Sequence, residues 1–200
     1  MTIYEKIMTF DLSENNELAI PSKDLPELVT FNDKASTVLI NFDKHSPATI
    51  SPRTPIDVAL HQMKCRQEPL LFVVDDNNKV MGIISREELI GEEPIRLMQE
   101  KRLSRTELTV DLLMSSHKRL LAVDATSTRN ALVGHLLRTF KESGAHYIVV
   151  VKKERADKQR IVGLFSASQL CKQLHCDINY IFEKDPETII ELQKGRRSLF

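Results

Sequence analysis

The chain has 200 residues, enough for one large domain or two small ones. Its 42% apolar and 28% charged residues are ordinary for a globular protein, and Lys plus Arg balances Asp plus Glu at 28 each. That balance excludes a global field for capturing nucleic acid or an anionic membrane, and no apolar run of about 18 residues is available to span a bilayer.

Met1 to Glu17 has no basic region followed by a long apolar one, so the expectation is a cytoplasmic protein without a secretory signal. Pro21 and Pro26 interrupt the first 34 residues, and Ser13 to Glu17 is polar; this reads as a loosely attached N-terminal extension.

From Thr37 a repeat emerges. TVLINFDKHSPATISPRTPIDVAL (37–60) falls on TVDLLMSSHKRLLAVDATSTRNAL (109–132) without a gap, at an offset of 72. His45 meets His117, Thr54 meets Thr126, and Ala59-Leu60 meets Ala131-Leu132. Short strands are expected at Ala48 to Ser51 and Leu120 to Val123. Turn and cap residues follow in each copy, at 52–55 and 124–127. Helical spacing then runs through Ile56, Ala59, Leu60 and Met63, and through Ala131, Leu132, Leu136, Leu137 and Phe140 to a stop at Gly144.

Beyond the helix the offset is 76, so the second helix is predicted to be about one turn longer. Phe72-Val73-Val74 and Ile148-Val149-Val150 are continuous apolar, β-branched runs that suit buried strands. Asp75 to Asn78 makes a tight turn, and Lys152 to Arg160 a longer charged hairpin. The return strands are Val80 to Ile84 and Ile161 to Phe165, with Gly82 matching Gly163. A helix follows each. Gly91 ends the first, and Pro94 opens a connector helix through Ile95, Leu97 and Met98. The second continues through Leu170 and Leu174 to about His175. A tail follows, with one short helix predicted at Pro186 to Gln193.

Each unit thus reads strand, helix, strand, strand, helix. Val73-Val74-Asp75, a turn, and Gly82-Ile83-Ile84-Ser85 resemble the CBS domain. Val149-Val150-Val151 and Gly163-Leu164-Phe165-Ser166 resemble it more loosely, because the Asp is missing. Two copies in tandem resemble a CBS pair, or Bateman module, of the stand-alone bacterial type. The resemblance implies a mixed α/β (α+β) fold: two β-α-β-β-α units packed face to face with pseudo-twofold symmetry and two clefts between them. The expected division is an extension at 1–36, a first unit with its connector at 37–105, a second unit at 106–176 and a tail at 177–200. The resemblance also implies dimerisation through the helices into a homodimer. It further implies an adenosine-containing ligand (AMP, ADP, ATP or S-adenosylmethionine) in a cleft, a regulatory role toward an unnamed protein partner, and no required cofactor.

Family members that bind nucleotides carry Gly-apolar-x-Thr/Ser-x-x-Asp. The matching residues are Ser85 and Glu88 in the first copy and Ser166 and Gln169 in the second, so both hydroxyls are kept and neither Asp is. Arg86 follows the first Ser and could pair with phosphate, where the second copy has Ala167. Thr54 and Thr126, at the strand-to-helix turns, are the other candidates, beside the plainer reading, slightly preferred, that they cap a helix or bond a turn. A strand feeding a helix start also offers free backbone N–H groups to a phosphate. A plainer reading stands beside this one: Ser-x-x-Glu and Ser-x-x-Gln are capping boxes, which need no ligand. In that case the module serves dimerisation or protein interaction and binds no nucleotide.

Catalysis is not expected. Gly-x-Ser-x-Gly, a Walker loop, His-Glu-x-x-His and Cys-x-x-Cys are all missing, and the sequence shows no carboxylate or nucleophile placed to work with His61, His135 or His146. Three cysteines are too few for a disulfide framework. Cys171, His175 and Cys176 lack a fourth donor, so a packed helix end is preferred to a metal site.

Overall fold

A computed structural model gives the architecture and describes residues 5–11, 16–18, 28–44, 46–154 and 158–183. The chain begins with two short strands, β1 (Phe10–Asp11) and β2 (Asn16–Leu18), and reaches β3 (Ile40–Asn41) through a single 3-10 turn over Ala35–Val38. The first unit follows as β4 (Thr49–Ile50), α1 (Ile56–Arg66), β5 (Leu70–Val74), β6 (Val80–Ser85) and α2 (Arg86–Ile90), with α3 (Glu92–Lys101) as connector. Next come α4 (Val110–Leu113) and β7 (Ser115–Ser116). The second unit is β8 (Leu121–Asp124), α5 (Ala125–Thr128), α6 (Val133–Ser143), β9 (Tyr147–Lys153), β10 (Gln159–Ser166) and α7 (Ala167–Leu174), and α8 (Ile178–Glu183) closes the described chain.

Two sheets result, and the fold is mixed α/β. One has the order β4-β5-β6-β7; the other runs β1-β8-β9-β10-β2, with β3 also on β10. The apolar runs are explained by burial on both faces. In β5, Leu71 and Val73 pack with Ile56, Ala59 and Met63 of α1. Leu70 and Phe72 alternate with them and point at the opposite sheet, meeting Val149, Val151, Ile161 and Leu164. In β9, Ile148 and Val150 pack with Leu136, Leu137 and Phe140 of α6. Phe42 and Phe72 seal the space between the sheets edge to face, with ring centroids 5.4 Å apart.

The strand registers test the repeat. Thr49 lies beside Phe72 and Leu121 beside Ile148, so the offsets of 72 and 76 hold at these strands. They do not hold everywhere. β3 and β7 cross to the other unit: Asn41 pairs with Gly163, and Ser116 with Gly82. Asn41 is therefore equivalent to Ser116, an offset of 75, because seven residues (42–48) lead from β3 to β4 but only four (117–120) lead from β7 to β8. The second helix is also not a turn longer, since α1 and α6 have 11 residues each. The extra residues precede α6 and form α5, started by the Asp124 side chain accepting from the Thr126 N–H at 2.8 Å. Val110 N–H donates to Thr54 O, and Ala35 N–H donates to Ala131 O, so the structural counterpart of Thr54 is Ala131. Thr126 sits in the inserted turn and has no such counterpart.

The crossing strands explain the repeated glycine. A Cβ on Gly82 would run into the Ser115 carbonyl, and one on Gly163 would lie 2.9 Å from the Ile40 carbonyl oxygen. Only hydrogen leaves room for the strand arriving from the other unit.

Two expectations about the chain ends differ from the structure. Residues 28–38 are not loosely attached: Val29, Phe31, Ala35 and Val38 are buried in the second unit's core. Backbone bonds hold them there, among them Val29 N–H to Gln173 O at 3.0 Å and Val133 N–H to Asp33 O at 2.9 Å. At the other end α8 forms where a tail was expected, and its Ile181 is fully buried. The helix predicted at Pro186 to Gln193, and His45 of the repeated histidine pair, lie outside the described residues. No helix among the described residues is long and apolar enough to cross a membrane.

Candidate functional site

The end of β6 and the start of α2 form one wall of a cavity of about 710 Å³ between the two units. Ile83, Ser85, Glu87 and Glu88 line it from this side, with Glu92 and Glu93 from α3. The opposite wall is Gly144 to Tyr147 and Ser168, and Ile178 of α8 borders it. Ser115, Arg119 and Leu120, from the crossing segment, complete the lining. The apolar surface of Ile83, Leu120, Ile178 and the Tyr147 ring suits a flat ring system; the carboxylates and hydroxyls supply hydrogen bonds.

Ser85 is buried, with 5% of its surface exposed. Its hydroxyl accepts from Glu88 N–H at 3.3 Å, and Glu88 Oε2 accepts from Ser85 N–H at 2.6 Å. The capping box is therefore closed. Glu88 does more than cap. Its Oε1 accepts from the Ser115 hydroxyl at 2.6 Å, which ties the crossing strand to the first unit. Next to Ser115, His117 Nδ1 lies 3.1 Å from the Met81 carbonyl. The second copy is less complete: Ser166 Oγ accepts from Gln169 N–H at 3.3 Å and lies 3.0 Å from Ser168 Oγ.

Phosphate seating at these helix starts is weaker than expected. Arg86 N–H donates to Pro69 O at 2.9 Å, and Ala167 N–H to His146 O at 3.0 Å. The first and third amides of each helix are thus already satisfied inside the protein.

Of the residues singled out in the sequence, the cavity brings together Ser85 and Glu88. Arg86 is exposed, and Arg119 rather than Arg86 is the arginine in the lining. Ser166 and Gln169 flank Ser168 without lining the cavity themselves. The Thr126 hydroxyl donates to Asp124 Oδ1 at 2.6 Å, a local turn bond, and Thr54 is half-buried away from this lining. The sequence reading missed Tyr147, Ser115, Arg119 and Ser168. Tyr147 carried a signal, since it is a polar-tipped ring immediately before the aliphatic run Ile148 to Val151. Its hydroxyl is pushed well above the usual tyrosine range, first by burial and then by the carboxylates of Glu87 and Glu88, so it stays protonated.

Among the described residues no group of three or more His, Cys, Asp or Glu is arranged to hold a metal ion. Cys171 and Cys176 instead close the end of α7. His175 takes the left-handed conformation (φ 51°), and Cys176 N–H donates to Cys171 O at 3.0 Å, a Schellman arrangement that brings the two side chains together.

The CBS domain family model matches residues 41–95. No curated protein matches the sequence. Among solved structures, an uncharacterized conserved protein from Pyrococcus horikoshii aligns at 20% identity over 72% of this chain and 93% of its own, with a TM-score of 0.49. The CBS-domain containing protein ATU1752 from Agrobacterium tumefaciens aligns at 16% identity over 72% and 98%, with a TM-score of 0.49. CBSX2 in complex with AMP aligns at 19% identity over 70% and 94%, with a TM-score of 0.48. Over these residues the first repeat is similar to the CBS domain, and a second unit of the same build follows it in the chain.

Proposed function

We propose that this protein is a non-catalytic regulatory sensor that binds an adenosine-containing ligand in the cleft between its units. The observation that carries the reading is the cavity of about 710 Å³ at the Gly-x-x-Ser end of the CBS domain, with Ser85 and Glu88 beside apolar Ile83, Leu120 and Ile178. Its volume falls within the roughly 300–1,000 Å³ of small-molecule sites. A ligand there touches both units and the crossing segment at once, so occupancy biases how they sit together and is reported to a protein partner. Thermal unfolding with adenosine, AMP, ADP, ATP and S-adenosylmethionine, each at millimolar concentration, tests the reading. A ligand at about 100 times its Kd stabilises by roughly 2.7 kcal/mol. Unchanged melting with all of them would sink it.

A second reading is favoured by a different observation. Ser85 and Glu88 already satisfy one another, and Ile90 and Ile95, on α2 and α3, are 58% and 53% exposed. On this reading the helices mediate homodimerisation and the cleft stays without a nucleotide. Analytical ultracentrifugation of Ile90→Glu and Ile95→Glu separates the two: dissociation of a dimer without any ligand response supports the second.

A further inference from the structure

The cavity's charge is lopsided. Among the described residues four glutamates line it, Glu87, Glu88, Glu92 and Glu93, against one arginine, Arg119, and one histidine, His146. Of the four, Glu93 has a partner cation, Arg96, at 2.5 Å. Among the described residues Glu88 accepts from two neutral donors, the Ser85 N–H and the Ser115 hydroxyl, and from no cation. Glu87 and Glu88 line the cavity opposite Tyr147, whose hydroxyl is raised first by burial and then by their carboxylates.

Resting on the adenosine reading above, we infer that this cleft selects an adenosine derivative without a phosphate chain, neutral or cationic at its ribose 5′ end, and discriminates against di- and triphosphates. Three facts point the same way. The carboxylates outnumber the guanidinium. The first and third amides of each helix start are already bonded, to the Pro69 and His146 carbonyls and to serine hydroxyls, which leaves no full amide cradle for a phosphate. Arg86, the basic residue nearest the Gly-x-x-Ser turn, does not line the cavity. Each further phosphate charge is repelled by the uncompensated carboxylates, weakening binding by roughly threefold or more at low salt.

Titration calorimetry on the full chain at low ionic strength, without magnesium, tests this. Adenosine and S-adenosylmethionine are expected to bind, with ATP at least about tenfold weaker than adenosine and S-adenosylmethionine tighter than the uncharged-sulfur S-adenosylhomocysteine. Both differences should shrink at about 0.3 M salt and in the Glu87→Gln/Glu92→Gln variant, whose unliganded melting should match that of the parent because both side chains are exposed. ATP binding as tightly as adenosine would overturn the inference while leaving the adenosine reading intact. If no ligand binds, the adenosine reading fails and this inference fails with it.

Discussion

Glu88→Ala removes two bonds at once. One is the return half of the capping box, Ser85 N–H to Glu88 Oε2 at 2.6 Å. The other is the tie from the Ser115 hydroxyl to Oε1, also at 2.6 Å. Loss of a cap costs about 1 kcal/mol, and a hydrogen bond to a charged group about 1.5–3 kcal/mol. Glu88 is only half-buried, so the lower figure applies to the second bond, for a total near 2.5 kcal/mol. For a chain of this size that lowers Tm by roughly 5–10 °C. Ser115→Ala alone should cost about 1.5 kcal/mol, since it breaks the tie and leaves the cap closed. Urea unfolding of the two single variants and the double variant, without ligand, gives the coupling between the positions; about 0.5–1.5 kcal/mol is expected. Strictly additive losses, or a Glu88→Ala cost below about 0.5 kcal/mol, would refute the tie between the crossing strand and the first unit.

Three other expectations follow from single contacts. Gly82→Ala drives a methyl group into the Ser115 carbonyl, so it should destabilise by at least about 1–3 kcal/mol and speed amide exchange in Ser115 and Ser116, whereas Gly144→Ala meets no atom and costs only its left-handed backbone. The Thr126 hydroxyl and N–H, with help from Lys153, hold the Asp124 carboxyl below its ordinary range despite some desolvation. Its stabilising effect is therefore complete above the unfolded value of about 4 and is lost as pH falls through the lower folded value; the stability gap to Asp124→Asn should be flat from about pH 7 to 5 and close in stronger acid. The Cys171 thiol is pushed above the usual range by its bond to Cys176 and by burial, while Cys65 is exposed; N-ethylmaleimide followed by mass spectrometry should label Cys65 first and Cys171 only on unfolding.

The parts of the fold set by short-range pattern were legible in the sequence. The apolar runs at 70–74 and 147–151 gave the central strands, because burial on both faces removes any polar alternation. Gly144 stopped α6 as a left-handed cap. What failed was everything decided by partners distant in sequence. The exchange of β3 and β7 between units rests on backbone bonds to Gly163 and Gly82, which leave no mark in side-chain periodicity. The same is true of the strap at 28–38, where apolar residues are spaced by backbone bonding and not by a helix or strand period. The four extra residues of the second copy fitted a longer helix just as well as an inserted turn, and the Asp124 cap favoured the turn. In the site, Gly-x-x-Ser located Ser85 and Glu88 by motif, but Arg119 and Ser115 arrive from the crossing segment, and no local pattern marks them.

That segment also determines what the cleft can transmit. A carboxylate oxygen has two lone pairs, so a ribose hydroxyl can bond to Glu88 while Ser115 keeps its own bond. In that case ligand and tie add, and binding draws the crossing strand, α2 and the facing wall at Tyr147 and Ser168 together. If the ligand displaces Ser115, its affinity is reduced by the broken bond, and the strand held against Gly82 is released on binding. The two outcomes differ in sign when Ser115 is mutated. With a shared carboxylate, Ser115→Ala leaves affinity unchanged or weaker; with displacement it tightens binding by roughly fivefold for each 1 kcal/mol of tie removed. Comparing ligand Kd between the parent and Ser115→Ala therefore decides whether the first unit signals by clamping the crossing strand or by letting it go.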